Sequence, residues 1–205
     1  VSAKLIWATP NAEALVAYMA RVSNDENQDN PDYGGLLRYL VKNKHWSPFE
    51  MVNVCIEIEC TRDIARQILR HRSFSFQEFS QRYAVANDYE TSEARLQDTK
   101  NRQNSLPTED RELQRWWEEM QNSLLAQVKG VYGAALNNGI AKEVARKILP
   151  EGLTMSRMYV NGSLRSWMHY IDVRCDVSTQ KEHRDIANKC KSIISNEFPS
   201  LKGLI

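Results

Sequence analysis

Apolar and polar positions along the chain repeat with two different periods. The clearest stretch of period two is "MVNVCIEIEC" (51–60). Val52, Val54, Ile56, Ile58 and Cys60 fall on one face and Asn53, Cys55, Glu57 and Glu59 on the other, which is the pattern of a half-buried strand. "KLIWA" near the start and "LTMSRMYVNG" (153–162) read as further strands. The helical period governs most of the rest. "NAEALVAYMARVS" follows Pro10 with Leu15, Tyr18, Met19 and Val22 along one side and Asn11 placed to cap it, and "GLLRYLVKNK" continues as a second helix after the "PDYGG" turn. In "RDIARQILRHR" (62–72), Ile64, Ala65, Ile68 and Leu69 form an apolar stripe, while Arg62, Arg66 and Arg70 recur every four residues on another face.

The second half is predominantly helical. A long helix is predicted from Thr108 as N-cap, with Glu109 and Asp110 in its first turn, through Leu113, Trp116, Trp117, Met120, Leu124 and Val128 to a stop at "NNG" (137–139). Its aromatic and aliphatic stripe is assigned to a core or a subunit contact. "AKEVARKIL" is a short helix ended by Pro150, and "SLRSWMHYIDVR" (163–174) is a helix carrying Arg165 and His169 one turn apart. Thr179 and Glu182 spell a capping box that opens "QKEHRDIANKCKSIISNEF". Residues 85–108 are polar and show little periodicity, so they are expected to form a long surface excursion. Strands and helices mixed without clean βαβ units argue for an α+β fold, expected as a single domain over 1–205.

Charge and composition narrow the function. Of 205 residues, 42% are hydrophobic, enough for one domain with its own core, and 27 Lys plus Arg are balanced by 26 Asp plus Glu. That balance excludes a protein that coats nucleic acid through a broad basic surface. No charged leader precedes an apolar run, and no segment approaches the roughly 18 apolar residues of a membrane span, so a soluble cytoplasmic protein with no membrane partner is expected. Cys55, Cys60, Cys175 and Cys190 form no CxxC pair, so neither a metal nor a disulfide framework is expected; Cys175 stands next to Arg174, a hint of the electropositive setting a cysteine nucleophile needs.

One local cluster departs from the neutral background: "RHRSFSFQEFSQRY" (70–83). Its arginines could be solvated or paired with Glu78 while the phenylalanines fill the core. It could be a single-stranded nucleic-acid platform, with bases stacked on Phe74 or Phe76, although such platforms recruit a wider basic groove. Or it could grip a small anionic ligand: arginine offers a donor fork suited to phosphate, and Ser80 supplies an orientable hydroxyl. In extended chain Ser80 and Arg82 would face the same way, with Glu78 on that side too. No G-x-S-x-G elbow marks Ser80 as a nucleophile.

The spacing of Arg70, His71, Arg72, Ser80 and Arg82 resembles the RHRxxxxxxxSxR signature of the flavin-dependent thymidylate synthases. The resemblance extends through "ATP", "ARVSN", "HWSPFE", "ARKILP", "GSLRSWMHYIDVR" and "TQKEHRDIA", and so covers most of the chain. It implies reductive methylation of deoxyuridylate (dUMP) to thymidylate (dTMP), with methylenetetrahydrofolate as carbon donor and FAD relaying hydride from NADPH. It also implies a central, mostly antiparallel sheet flanked by helices, one of them long, and a homotetramer whose active sites draw on several subunits. By resemblance the dUMP contacts are Gln67, Arg70, Glu78, Phe79, Ser80, Gln81, Arg82, Arg146 and Arg174, and the FAD contacts are His45, Ser47, Arg70, His71, Arg72, Glu78, Arg165 and His169. Arg174 takes the catalytic role by resemblance, favouring uracil ionised at N3. A permanent cation can do this without giving up its proton, and no enzyme nucleophile is needed. No Gly-rich dinucleotide fingerprint is present, which argues against a dedicated NADPH domain.

Overall fold

A computed structural model of the chain describes residues 1–204. Strands β1 (Ser2–Ala8), β2 (Asn53–Thr61), β3 (Ser75–Glu78) and β6 (Met155–Ser163) form one sheet in the order β1-β2-β6-β3, and β4 (Arg95–Gln97) pairs with β5 (Ser105–Pro107). The helices are α1 (Ala12–Ala20), α2 (Gly34–Lys42), α3 (Arg62–Ile68), α4 (Arg111–Asn137), α5 (Lys142–Ala145), α6 (Leu164–Arg174) and α7 (Lys181–Glu197). Bonds at the strand ends give the direction of the larger sheet. Thr9 N donates to Asn53 O, so the end of β1 meets the start of β2, and Leu164 N donates to Val52 O while Arg62 N donates to Thr154 O, so β6 runs against β2. The fold is α+β with a four-stranded antiparallel sheet and one long helix, as expected.

The chain divides into two compact units. The first comprises Val1–Ile58, Leu69–Gln77 and the chain from Met158 onward. Its core holds the alternating residues of β2, Val54, Ile56 and Ile58, with Met158 and Val160 of β6 and Trp167, Ile171, Ile186 and Ile194 from α6 and α7, all essentially inaccessible. Cys55, on the opposite face of β2, is buried as well, so this strand is covered on both sides at that point. Trp167 satisfies its indole N–H on Val54 O at 3.0 Å and packs its ring 4.6 Å from that of Phe74. Phe74 lies over Gly162: a Cβ there would fall 2.2 Å from Phe74 Cδ1, so glycine is required by close approach.

The second unit comprises Glu59–Ile68 and Glu78–Arg157. Ile64, Ala65 and Ile68 of α3 are fully buried, and α4 buries Gln121, Leu125 and Tyr132. The polar segment 85–108 is not without structure. Besides the β4–β5 ribbon, with Leu96 opposite Leu106, it is tied to α4 by amide side chains. Gln121 Oε1 accepts from Ser92 N and its Nε2 donates to Ser92 O, both at 2.9 Å, and Gln114 makes the same reciprocal pair with Ala94. These amides complete backbone groups that no helix or strand supplies, so a segment of low hydrophobicity is nonetheless ordered.

Of three expected caps, two differ. Asn11 is the N-cap of α1 as expected, with φ 54° and no side-chain cap bond. The N-cap of α4 is Asp110, whose Oδ1 accepts from Glu112 N and Leu113 N at 3.0 Å, while Thr108 accepts from Asp110 N two residues earlier. A carboxylate is the better partner for the positive end of a long helix. The N-cap of α7 is Gln180, not Thr179. The stop of α4 is as expected, with Gly139 at φ +79°. Of its stripe, Trp116, Met120 and Leu124 are exposed, as is Val131 beside them, while Leu113, Trp117 and Val128 are half-buried.

Candidate functional site

In the first unit the sequence cluster breaks into residues with separate duties. α3 ends at Ile68, leaving Arg70 and Arg72 exposed and His71 half-buried in the turn before β3. Arg174, the last residue of α6, donates from Nε to His71 Nε2 at 2.8 Å. A guanidinium has no acceptor, so His71 Nε2 carries a lone pair and the ring is neutral, with its proton on Nδ1. Burial, reinforced by the positive charges of Arg174, His169 and Arg70, lowers its pKa to about 4. Behind it lies His183, wholly buried, its Nε2 3.1 Å from Tyr170 Oη; burial first, then Arg174 and His71, take its pKa down to about 3. His183 lies in the quoted "TQKEHRDIA" but was not among the expected site residues. Its mixed polar setting in α7, among residues of helical period, gave no sign that it would be buried.

Arg165 and His169, expected to touch the flavin, line a cleft of about 910 Å³. His45 and Ser47 flank Trp46, which lines it, and the His45 ring sits edge-on to Tyr39, another wall residue, at 5.9 Å. Arg38, Lys42 and Arg165 bring cations to this cleft, and Tyr39, Trp46 and Met168 bring flat or apolar surface. That donor set suits a flavin dinucleotide: cations for the pyrophosphate, apolar walls for the ring system. Arg165 Nε is 3.5 Å from Glu50 Oε1, and the other oxygen of Glu50 accepts from Ser163 Oγ, the N-cap of α6. Glu50 thus steers Arg165, a role the sequence did not reveal.

In the second unit, Glu78 Oε1 accepts from Ser156 Oγ at 2.8 Å and lies 3.4 Å from Nη1 of buried Arg62. Arg62 also faces Glu151, which is held by Arg66 at 3.3 Å. The Arg62/Arg66 stripe is therefore an ion-pair network. Ser80 and Arg82 do not lie in extended chain. β3 stops at Glu78, and Ser80 starts a turn in which its carbonyl accepts from Tyr83 N and Ala84 N, while its Oγ accepts from Arg82 N at 3.3 Å. Serine favours turns of this type because its oxygen bonds the backbone two residues on. Arg82 pairs with Glu143 at 3.2 Å. Phe79 lines a smaller cleft of about 250 Å³ with Ser156 and Arg157. Gln81 is buried, with no hydrogen-bond partner for Nε2, a donor left to be satisfied from elsewhere. Gln67 is half-buried near the end of α3, and Arg146 is half-buried in the 3₁₀ turn after α5. Arg62, Arg66 and Arg82 thus each face a carboxylate.

Cys55, Cys60 and Cys175 are not poised as nucleophiles. Burial raises Cys55 and Cys175, and takes Cys60 up to about 12, so the cation beside Cys175 in sequence does not activate it.

Comparison with known proteins gives a consistent result. Residues 4–200 match the family model described as thymidylate synthase complementing protein. The chain is 53% identical over 193 residues to the flavin-dependent thymidylate synthase of Synechocystis sp., covering 94% of this chain and 89% of that one. It is 50% identical over 210 residues to a probable flavin-dependent thymidylate synthase of Paramecium bursaria Chlorella virus 1, covering 98% and 97%. Among solved structures it is similar to a UMP/dUMP methylase from Streptomyces cacaoi crystallised with 5-Br dUMP, with a TM-score of 0.84 and 25% identity, over 97% of this chain and 91% of that one.

Proposed function

Because the chain belongs to the flavin-dependent thymidylate synthase family, we propose that it converts dUMP to dTMP by reductive methylation, with methylenetetrahydrofolate as carbon donor and NADPH as reductant. FAD, when bound, supplies hydride transfer between the reductant and the new methyl carbon. Every other task falls to side chains. Arg165 and His169, with His45 and Ser47 beside Trp46, hold the flavin in the large cleft, joined by Arg70, His71, Arg72 and Glu78. The nucleotide is gripped by Gln67, Arg70, Glu78, Phe79, Ser80, Gln81, Arg82, Arg146 and Arg174. The 5-Br dUMP bound by the Streptomyces methylase supports a pyrimidine mononucleotide as the ligand class.

The observation that carries the mechanism is the Arg174–His71 bond. Arg174 is held by a neutral acceptor, so its charge is not cancelled, and it suits a pyrimidine that must gain negative charge at N3. Electron density then rises at the carbon to be methylated without an enzyme nucleophile, which fits thiols pushed upward by burial. The two units act together as one catalytic domain over 1–205, a reading supported by a family model that runs through both. A homotetramer is supported by the exposed apolar stripe of α4. Four free thiols fit the reducing cytoplasm.

The test is spectroscopic. Purified protein should be yellow or take up FAD, bleach with NADPH, and form dTMP when dUMP and methylenetetrahydrofolate are present. Protein that takes up no FAD, or that is loaded and forms no dTMP, overturns the reading.

A further inference from the structure

We propose that His71 is a positioning residue for Arg174, and that the buried Tyr170–His183 pair holds His71 in place for that task. The inference rests on the reading of Arg174 as the cation that faces the pyrimidine.

Arginine side chains have many rotamers, and fixing one needs an anchor. Arg62 is anchored by the carboxylates of Glu78 and Glu151, Arg66 by Glu151, Arg82 by Glu143 and Arg165 by Glu50, while Arg21 and Arg184 are held by backbone carbonyls. Arg174 differs from all of these, its Nε bonded to an imidazole at 2.8 Å. A carboxylate in that place would orient the guanidinium but neutralise it and compete with an anionic ligand. A neutral imidazole orients without cancelling charge. The bond uses Nε alone, so the two terminal nitrogens stand outside it.

For this to work His71 must present Nε2 in a fixed direction and stay unprotonated. Its ring meets Tyr170 edge-on at 5.0 Å and 77°, and His183 at 6.4 Å and 87°. Tyr170 and His183 are 1% and 0% exposed and are bonded to one another at 3.1 Å, so the wall behind His71 is fixed by a directional contact as well as by packing. Phe74 closes a further side at 6.4 Å. The charged and titratable groups acting on His71 are Arg174 and His169 from α6, Arg70 from its own segment and His183 from α7. None is a carboxylate, so nothing there favours an imidazolium. Protonation would point an N–H at an N–H and set two cations side by side, releasing Arg174.

The test uses flavin-loaded enzyme and four variants. His71→Gln puts an amide oxygen near the position of Nε2, so it should keep kcat within about tenfold of wild type; His71→Leu, with no acceptor, should lose about a hundredfold, both measured at saturating FAD. The acid limb of kcat that comes from His71 should be absent in His71→Gln. Tyr170→Phe keeps ring volume and His183→Phe keeps an aromatic ring, somewhat larger, in place; each should lower kcat by roughly threefold to tenfold with the dUMP KM little changed. Equal losses in the Gln and Leu variants at saturating FAD would show that an acceptor at the Nε2 position does not matter and would overturn the proposal. Phe variants that lower only the melting temperature would overturn the role of the Tyr170–His183 pair. ¹⁵N spectra of His71 give a readout independent of turnover. The Nδ1–H tautomer should persist to pH 6, and the Nε2 signal should move in Arg174→Ala. If wild-type enzyme forms no dTMP, the functional reading fails while these spectra still decide the geometry; a protonated His71, or one indifferent to Arg174→Ala, sinks the inference itself.

Discussion

Glu78 Oε1 is shared by Ser156 Oγ at 2.8 Å and Arg62 Nη1 at 3.4 Å, and the Arg62 and Glu78 side chains are only 8% and 19% exposed. Removing one partner of a buried pair leaves the other charge without compensation, which costs far more than the pair itself contributes. Arg62→Met, similar in length, should therefore destabilise the protein by about 3 kcal/mol, and Ser156→Ala by about 1 kcal/mol, in urea unfolding. An Arg62→Met variant as stable as wild type would show that Glu78 relaxes to solvent instead.

Gly162 and Gly130 should respond in opposite ways to the same substitution. A methyl group at Gly162 would fall 2.2 Å from the Phe74 ring, which is itself pinned against Trp167, so Gly162→Ala should cost about 2–3 kcal/mol. Nothing lies within 4 Å of a Cβ added at Gly130, an exposed position inside α4, so Gly130→Ala should stabilise by about 0.5–1 kcal/mol through helix propensity. Denaturation midpoints check both. A neutral Gly162→Ala would mean that β6 and Phe74 separate more readily than their packing implies.

Acid should weaken the fold earlier than carboxylate titration alone would predict. His71 and His183 have folded-state pKa values of about 4 and about 3, below the ordinary 6.5, because burial and neighbouring cations disfavour their protonation. Between those values and 6.5 the unfolded chain binds more protons than the folded one, so stability is whole above pH 6.5 and falls as pH drops through that window. Wholly buried His183 gives a slope of up to about 1.4 kcal/mol per pH unit, and half-buried His71 adds less. His183→Phe should flatten the curve of stability against pH between about 6 and 4. If the wild-type curve is already flat there, the histidines are not neutral in the folded state.

Legibility in the sequence followed locality. The alternation in β2 and the apolar stripe of α3 were plain because burial of one face imposes a period on the residues that make it. The hairpin within 85–108 was hidden because its order comes from Gln114 and Gln121 of a helix far along the chain, and amide-to-backbone bonds impose no period. The extended reading of Ser80 and Arg82 fails because serine tends to initiate a turn, its oxygen bonding the backbone two residues on. Most opaque was the setting of His71. Nothing local marks Tyr170 and His183 as its neighbours, since that cluster exists only once α6 and α7 pack together.

The exposed stripe on α4 makes the last prediction. Trp116, Met120, Leu124 and Val131 share an arc of the helix, while buried Gln121, Leu125 and Tyr132 occupy another. The stripe runs for about 22 Å along the helix axis at 1.5 Å per residue. A helix with a second apolar face keeps that face covered, or else carries an aggregation liability. The tetramer proposed above provides the cover, with further copies of this chain as the occupants. Met120→Glu with Leu124→Glu places two like charges on that face without touching the buried arc, so the fold should survive while assembly fails. Light scattering should then report a mass near the 23.7 kDa of one chain or a small multiple of it, against about four chains for wild type. Thymidylate formation should fall with the mass, because active sites built from several subunits cannot outlast their separation. A wild-type monomer would sink the tetramer outright, and a dissociated variant with full turnover would show that each chain holds a complete site.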